Sequence, residues 1–315
     1  MTFQVGCRAI TSFDPVQQAP VRAWLLYPTR AMAESVRFGP YALELAVNAA
    51  PAAEQLPVVV VSHGNGGTPW SHRGLATHLV RDGFAVIMLE HPGNNRHDNS
   101  LSTPEGRVQA VLLQHRPRHV RLAFDAALAD AALGPRLWRE RYAIVGESIG
   151  GYTALAVAGG QARTVPDDLP SERLRVATDA ELLRLSFPLP TESDQRVSAA
   201  VLMVPAIGFF LADGALADVT IPLLVRTGAE DALAPTAEVR RALCSLPDPA
   251  QLSIAEVPDA GHFSLQTPYP PELSGIPPAR DPPGFDRAAY QHIFRADVTE
   301  FLRRNVPSTA FTIPR

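Results

Sequence analysis

The segment Gly-Glu-Ser-Ile-Gly-Gly at residues 146–151 constrains the fold more than any other part of this sequence. It follows an apolar run at residues 141–145 and precedes an alanine-rich run at residues 152–158. A Gly-x-Ser-x-Gly pentapeptide between a buried strand and a helix is typical of a nucleophile elbow, a strained turn that exposes the serine hydroxyl. Glycines two residues before and after the serine fit this turn, because a Cβ there would collide with the neighbouring strand or helix. The pentapeptide also occurs in ordinary loops, so a nucleophile at Ser148 requires partners elsewhere in the chain.

Several short apolar runs are typical of strands that are covered on both faces. The clearest is Leu-Pro-Val-Val-Val-Val-Ser at residues 56–62, which is rich in β-branched side chains. Other strands are predicted directly before Ser148 and at residues 3–12, 21–28, 84–90, 199–204, 221–227 and 251–257. Helical patterns occupy residues 70–82, 104–133 (with a break at Pro117), 235–246 and 286–304. This alternation predicts an α/β fold with a doubly wound, mostly parallel sheet.

Three segments interrupt the alternation. Residues 29–56 have scattered prolines and no firm period, so we expect a connection with one short helix at most. Residues 161–197 are polar and punctuated by prolines, with one amphipathic piece, and they predict a small inserted cap. Residues 267–284 are too rich in proline for a helix or a central strand. Because no linker or repeat divides the chain, we expect residues 1–315 to form a single domain.

Composition excludes several classes of protein. Apolar residues make up 46% and charged residues 19% of the chain, as in ordinary globular proteins. The net charge of −4 gives no electrostatic case for binding nucleic acid or an anionic membrane. We expect no transmembrane helix, no secretory signal and therefore a cytoplasmic protein. Cys7 and Cys244 are expected to be free, buried thiols. No pattern predicts the oligomeric state.

Two loops after predicted strands carry partners for the serine. A serine hydroxyl needs a general base within hydrogen-bond reach, and that base needs a third group to orient it. After a nucleophile elbow, the acid and then the histidine follow in chain order. Asp231 follows the predicted strand 221–227, and His262 follows the predicted strand 251–257. We therefore predict a catalytic triad of Ser148, Asp231 and His262.

Nearby residues offer alternatives for both partners. Glu230 adjoins the predicted acid, and Asp259 lies just before the predicted base. Asp commonly bonds its own backbone in turns, which is the simpler role for Asp259. His292 is the only other histidine after Ser148, and its place inside a helical pattern is more typical of a surface residue.

A glycine-rich loop follows the strand predicted at residues 56–62. Acyl transfer places negative charge on the former carbonyl oxygen, and backbone N–H donors aimed at it lower the barrier. The glycines around Asn65 allow its backbone to approach a substrate closely. We predict an oxyanion hole formed by the N–H groups of Asn65 and Ile149, the residue after the nucleophile.

No motif predicts a cofactor or a metal ion. His115 and His119 have the i, i+4 spacing of metal ligands, but no Glu lies between them as a zincin requires. The glycines at residues 64–67 are not followed by the Lys-Ser/Thr of a phosphate-binding loop. His63 and His91 lie at strand ends, where we expect them to fix loop geometry.

Three motifs together resemble a known family. They are Ser-His-Gly-Asn-Gly-Gly at residues 62–67, Gly-Phe-Ala-Val-Ile-Met-Leu-Glu-His at 83–91 and Gly-Glu-Ser-Ile-Gly-Gly-Tyr at 146–152. They are similar to α/β-hydrolases of the platelet-activating-factor acetylhydrolase and predicted dienelactone hydrolase group. The resemblance spans most of residues 3–265 and implies the same triad and oxyanion donors. Ser148 departs from the cysteine of dienelactone hydrolases, and Glu147 stands where acetylhydrolases commonly have histidine.

These observations predict a serine hydrolase that cleaves carboxylic esters through an acyl-enzyme. The same residues could open amides or lactones, or transfer the acyl group to an acceptor other than water. A non-catalytic binding protein on a hydrolase scaffold is the alternative from another class. Substrate identity is not encoded in these motifs. Several apolar side chains could line an acyl pocket or belong to the core: Leu182, Leu183, Leu185, Phe187, Phe209, Phe210 and Phe263.

Overall fold

The computed structural model describes residues 3–103 and 107–306 of the chain. Its larger sheet has ten strands: β1 (Gln4–Asp14), β2 (Ala19–Thr29), β3 (Glu34–Phe38), β4 (Tyr41–Val47), β5 (Leu56–Ser62), β6 (Ala85–Leu89), β7 (Leu137–Glu147), β10 (Val197–Met203), β11 (Leu223–Gly228) and β12 (Leu252–Val257). The strands β8 (Arg163–Thr164) and β9 (Phe187–Pro188) form a separate antiparallel pair. The helices are α1 (Arg73–Arg81), α2 (Ala110–Ala129), α3 (Ile149–Val157), α4 (Ser171–Val176), α5 (Asp179–Leu185), α6 (Thr236–Leu243) and α7 (Arg287–Asn305).

The large sheet is mostly parallel, as the sequence predicts. Its strand order is β12-β11-β10-β7-β5-β6-β2-β1-β4-β3. The six strands from β12 to β6 run parallel to their neighbours, whereas β2 pairs antiparallel with both β6 and β1. All six parallel strands therefore end at the same edge of the sheet, and the loops after β5, β7, β11 and β12 meet there.

Two hydrophobic layers cover the two faces of this sheet. Side chains of β5 alternate between them: Val58 and Val60 belong to the layer that includes side chains of α2, α3 and α6, whereas Val59 and Val61 belong to the layer that includes side chains of α1 and α7. All seven residues of β5 are buried, which explains why its sequence is continuously apolar rather than alternating. The α/β prediction is confirmed.

The prediction of a connection at residues 29–56 is wrong, because this segment contains strands β3 and β4. They form a hairpin at the sheet edge, with Gly39 at a φ of +58° in the turn. Tyr41, Leu43 and Leu45 of β4 are buried while the residues between them are exposed. An edge strand with one covered face alternates in polarity, and this short pattern differs from the continuous apolar runs of the central strands.

The predicted break at Pro117 is also wrong. Helix α2 runs through this proline without interruption. Proline removes the N–H that would otherwise bond to the carbonyl of Leu113, four residues earlier. In the folded chain the hydroxyl of Tyr152, from α3, donates to that carbonyl at 3.0 Å. A side chain from a neighbouring helix thus replaces the missing backbone donor, and the helix continues.

Replacing Tyr152 with phenylalanine should lower the free energy of unfolding by about 1–3 kcal/mol, because the buried Leu113 carbonyl loses its partner. In a Pro117→Ala background, the restored N–H bonds to this carbonyl, so the same substitution should then cost clearly less. Urea unfolding of the four proteins measures both costs as a double-mutant cycle. Equal losses in the two backgrounds would contradict the inference that the Tyr152 hydroxyl replaces the N–H that Pro117 lacks.

The two proline-punctuated segments differ in how much regular structure they contain. Residues 161–197 lie between α3 and β10 and contain α4, α5 and the β8–β9 pair. Residues 267–284 contain only two short 3-10 turns, at Pro271–Leu273 and Pro277–Ala279. The single-domain boundary and the role of residues 161–197 as a cap stay predictions.

Both cysteines are free, and Cys7 is buried as predicted. The prediction is wrong for Cys244, which is exposed directly after α6. Helix α6 turns only one face toward the sheet, and Cys244 follows on its outer side.

Candidate active site

Ser148 occupies the sharp turn between β7 and α3. Its φ of +52° and ψ of −115° lie outside the regions that non-glycine residues normally adopt. Such strain costs on the order of 1–3 kcal/mol and persists only where surrounding contacts enforce it. Here the N–H of Ser148 donates to the carbonyl of Met203 at 2.9 Å, and its own carbonyl accepts from the N–H of Ala206 at 2.9 Å. The last residue of β10 and the loop after it thus both hold the turn.

The glycines of the elbow permit an approach that no side chain would allow. A Cβ on Gly146 would lie 2.1 Å from the carbonyl oxygen of Gly150. A Cβ on Gly150 would lie 2.0 Å from the carbonyl oxygen of Ser62, at the end of β5. The predicted reason for glycine at both positions is therefore confirmed, and the first turn of α3 packs directly on the central strands.

Asp231 and His262 meet at the same edge of the sheet. The Nδ1 atom of His262 lies 2.8 Å from Oδ2 of Asp231, whose side chain is fully buried. The other carboxylate oxygen of Asp231 accepts the N–H groups of Leu233 at 2.8 Å and Ala234 at 2.9 Å. Because a carboxylate can only accept, Nδ1 carries the proton and Nε2 is left as the basic nitrogen. This is the pairing that the sequence predicts.

Glu147, the residue before the serine, anchors the histidine loop. Its carboxylate lies 2.9 Å from Nε2 of His72 and accepts a hydrogen bond from Nε2 of Gln266, four residues after His262. Burial by itself would raise the pKa of Glu147. The charge and hydrogen bond of His72, the charge of His262 and the Gln266 hydrogen bond outweigh burial and lower that pKa. A second buried carboxylate therefore stands beside the predicted base.

Sequence reasoning found Glu147 only as a departure from the acetylhydrolase pattern, and it missed His72 and Gln266. The contacts join positions 75 and 119 residues apart, so no local pattern could indicate them. The loop after β5 passes close to both Glu147 and Ser148 at Gly64. A Cβ there would lie 3.4 Å from the Glu147 carboxylate and 3.6 Å from the Cβ of Ser148.

Replacing Glu147 with glutamine should lower the free energy of unfolding at pH 7 by roughly 1–3 kcal/mol, because a buried charged hydrogen-bond partner is lost. The pKa of Glu147 is lowered in the folded protein from an ordinary value of 4.5, so its carboxylate contributes stability above about pH 4.5. That contribution is lost as the pH falls through the folded-state pKa. The difference between the two proteins should therefore shrink on acidification.

Urea unfolding from pH 7 to pH 3.5 measures this difference. The control is Glu256→Gln, which changes an exposed glutamate on β12 and should stay within about 0.5 kcal/mol of wild type. A gap between Glu147→Gln and wild type that widens toward low pH would contradict the prediction.

The two predicted oxyanion donors lie on two segments close to Ser148. Ile149 is the first residue of α3, where helix N–H groups have no partner within the helix. Asn65 lies in the loop after β5, and its side-chain Oδ1 accepts from Nδ2 of Asn94 at 2.6 Å. A Cβ added to the neighbouring Gly64 would lie 3.6 Å from the Cβ of Ser148, so this loop runs beside the serine. The fold thus brings the two segments that carry these residues close to the serine.

The rings of His63 and His91 bond to residues at or after the end of β5, which supports the prediction that they fix loop geometry. The ring of His91 bonds Oγ of Ser62 through Nε2 at 2.9 Å, and Nδ1 of His63 bonds the carbonyl of Gly64 at 2.8 Å. Burial lowers the pKa of His63 to about 3 and the pKa of His91 well below its usual value. Both rings therefore stay neutral near pH 7. Among the described residues no cluster of His, Cys, Asp or Glu could hold a metal ion.

A cavity of about 280 Å³ lies between α5 and the loop after β10. Phe209 of this loop packs against Tyr152 of α3, with ring centroids 4.9 Å apart. Phe210 belongs to the core instead, since its side chain is fully buried. The apolar residues lining the cavity are Val165, Leu174, Leu182, Leu183, Phe209, Leu211 and Ala212.

Known proteins share this architecture. A family model of the alpha/beta hydrolase fold matches residues 57–166. The ferulic acid esterase from Streptomyces cinnamoneus has a similar structure, with a TM-score of 0.61 and 19% sequence identity. That similarity covers 100% of this chain and 94% of the esterase. A search of curated proteins finds no match.

These two findings together show that the chain has the α/β-hydrolase fold. They give no support to the acetylhydrolase-like subgroup. Within the described ranges, no helix is both long and apolar enough to cross a membrane.

Proposed function

We propose that this protein is a serine esterase in which Ser148, His262 and Asp231 form the catalytic triad. The observation that carries the proposal is the 2.8 Å contact between Asp231 and His262 at the sheet edge where Ser148 occupies a strained elbow. Nucleophilic catalysis by a serine uses these three features together. They are strained backbone at the serine, a histidine whose Nε2 carries no proton, and a buried carboxylate that orients the histidine.

In the proposed reaction, Nε2 of His262 takes the proton of Ser148 as Oγ bonds to the ester carbonyl carbon. The carbonyl π electrons move to the oxygen, which the N–H groups of Asn65 and Ile149 then stabilise. The intermediate collapses, the alcohol leaves with the proton from His262, and an acyl-enzyme remains. Water deprotonated by His262 attacks the acyl-enzyme, and the acid departs as Ser148 regains its proton.

Asp231 is the proposed orienting group for the base. It holds His262 in the tautomer with the proton on Nδ1 and stabilises the imidazolium that forms during both steps. The buried Glu147 adds a second negative charge near the same ring.

The direct test is labelling with a fluorophosphonate probe, followed by peptide mapping and an ester panel. We expect the probe to modify Ser148 in the folded protein and to abolish hydrolysis of p-nitrophenyl acetate in parallel. Labelling of another serine, or no labelling of active protein, would overturn the assignment. The panel should include acetyl to octanoyl esters and, because the structural neighbour is named a ferulic acid esterase, hydroxycinnamate esters.

The panel also tests which acyl group the enzyme prefers and which type of bond it cleaves. Preference for acetyl esters would support the acetylhydrolase-like resemblance, whereas preference for long or aromatic acyl groups would favour use of the cavity beside α5. A leaving-group series separates an esterase from an amidase or lactonase, because an amidase must protonate a poor leaving amine. Added alcohols would reveal acyl transfer, and absence of any turnover or labelling would favour a binding protein.

A further inference from the structure

Arg116 is a buried cation that the proposed triad chemistry does not use. It belongs to α2, and its side chain has no exposed surface. Its Nε donates to Oγ of Thr153 at 2.9 Å, its NH1 to Oδ1 of Asn94 at 2.6 Å, and its NH2 to Oγ of Ser62 and the carbonyl of His63. Within the described residues, these partners are all uncharged.

The hydrogen bonds of Arg116 lead to both proposed oxyanion donors. Thr153 accepts from the guanidinium and donates its hydroxyl to the carbonyl of Ile149 at 2.9 Å. Asn94 accepts from the guanidinium and donates to the side chain of Asn65 at 2.6 Å. One side chain therefore connects the first turn of α3 with the loop after β5.

The charge of Arg116 has the sign that an oxyanion requires. Burial lowers its pKa to about 9, so the guanidinium is still protonated near pH 7. A buried charge with only neutral partners is unfavourable unless another group compensates it. Negative charge that develops between Asn65 and Ile149 during the reaction would supply such compensation, and only in the transition state.

We propose that Arg116 is a positioning residue of the oxyanion hole, which holds the Asn65 and Ile149 segments at a fixed spacing and places a positive charge behind them. The proposal rests on the proposed esterase function. It assigns Arg116 no contact with substrate, because its effect passes through Thr153, Asn94 and the carbonyl of His63.

Three variants test the proposal with p-nitrophenyl acetate: Arg116→Met, Thr153→Val and Asn94→Leu. We expect kcat to fall about 100-fold in the first and about tenfold in each of the others, with KM within about twofold. Loss of a direct oxyanion donor costs about 10²–10³ in rate, and a residue that acts through others should stay at or below that range.

The affinity for phenylboronic acid is the second readout, because its serine adduct is tetrahedral and mimics the intermediate. It should fall in the same ratio as kcat/KM in each variant. A purely structural role for Arg116 would lower the melting temperature but leave kcat and boronate affinity of the folded protein unchanged. Arg118→Met is the matched control: Arg118 is also a buried arginine of α2, but it pairs with Asp14. We expect kcat of this control within about twofold of wild type.

The inference is overturned if folded Arg116→Met keeps kcat and boronate affinity within about twofold of wild type. If that variant does not fold, unchanged values in both Thr153→Val and Asn94→Leu overturn it equally. Failure of the esterase function itself is distinguishable, because wild type would then show no hydrolysis that depends on Ser148. An active wild type with unimpaired variants rejects only the role of Arg116.

Discussion

Replacing Ser148 with alanine should lower kcat for p-nitrophenyl acetate by about 10⁶-fold, the scale seen when the nucleophile of a triad is removed. Alanine lacks the Oγ that forms the acyl-enzyme, so the covalent route is closed and only transition-state binding remains. The backbone contacts of the elbow to Met203 and Ala206 involve no side-chain atom of Ser148. We therefore expect the melting temperature to change little.

Burst kinetics with active-site titration and a thermal melt measure the two effects. Ser198→Ala provides the matched control, because Ser198 is a buried serine of β10 whose Oγ lies 3.3 Å from the carbonyl of Tyr142. It lies toward the amino end of its strand, away from the loops that carry the site. Retention of more than about 1% of activity by folded Ser148→Ala would reject the nucleophile.

Replacing Asp231 with asparagine should lower kcat by about 10⁴-fold with little change in KM. An asparagine can still accept from the N–H groups of Leu233 and Ala234 through its oxygen, so the loop keeps its shape. Its amide nitrogen then faces Nδ1 of His262 and can only donate. The imidazole must place its proton on Nε2, and the base toward Ser148 is lost.

A pH profile separates this effect from general damage. In Asp231→Asn, His262 no longer acts as the base and its imidazolium has no partner carboxylate. Hydroxide can replace this base, so the activity of the variant should rise toward alkaline pH. Glu230→Gln is the control, since Glu230 is the exposed neighbour that sequence reasoning kept as an alternative acid. Equal losses in both variants, or a loss below about tenfold in Asp231→Asn, would contradict the assignment.

The part of the site that the sequence predicts depends on the order in which strand–loop–helix units follow one another along the chain. Each strand–loop–helix unit has a local pattern, and parallel strands place their following loops at one edge. The positions of Ser148, Asp231 and His262 after their strands were therefore accessible from the sequence. Whether they perform catalysis stays a proposal for the experiments above.

The unpredicted part consists of contacts between distant positions. Glu147 with His72 and Gln266, and Arg116 with Thr153 and Asn94, join side chains from separate units. Their geometry depends on how helices pack on the sheet, which no local period encodes. Pro117 illustrates the same limit, because the donor that replaces its missing N–H comes from Tyr152 of another helix.

The sequence by itself determined the α/β class, the central strands, the elbow and the order of its candidate partners, because periodicity and chain order are local properties. Tertiary structure decided the rest. It showed that residues 29–56 contain an edge hairpin, that Asp231 lies within hydrogen-bond distance of His262, and that the buried Glu147 and Arg116 bond to side chains of other elements. These features depend on distances between remote segments, and such distances are set only when the two hydrophobic layers pack against the sheet.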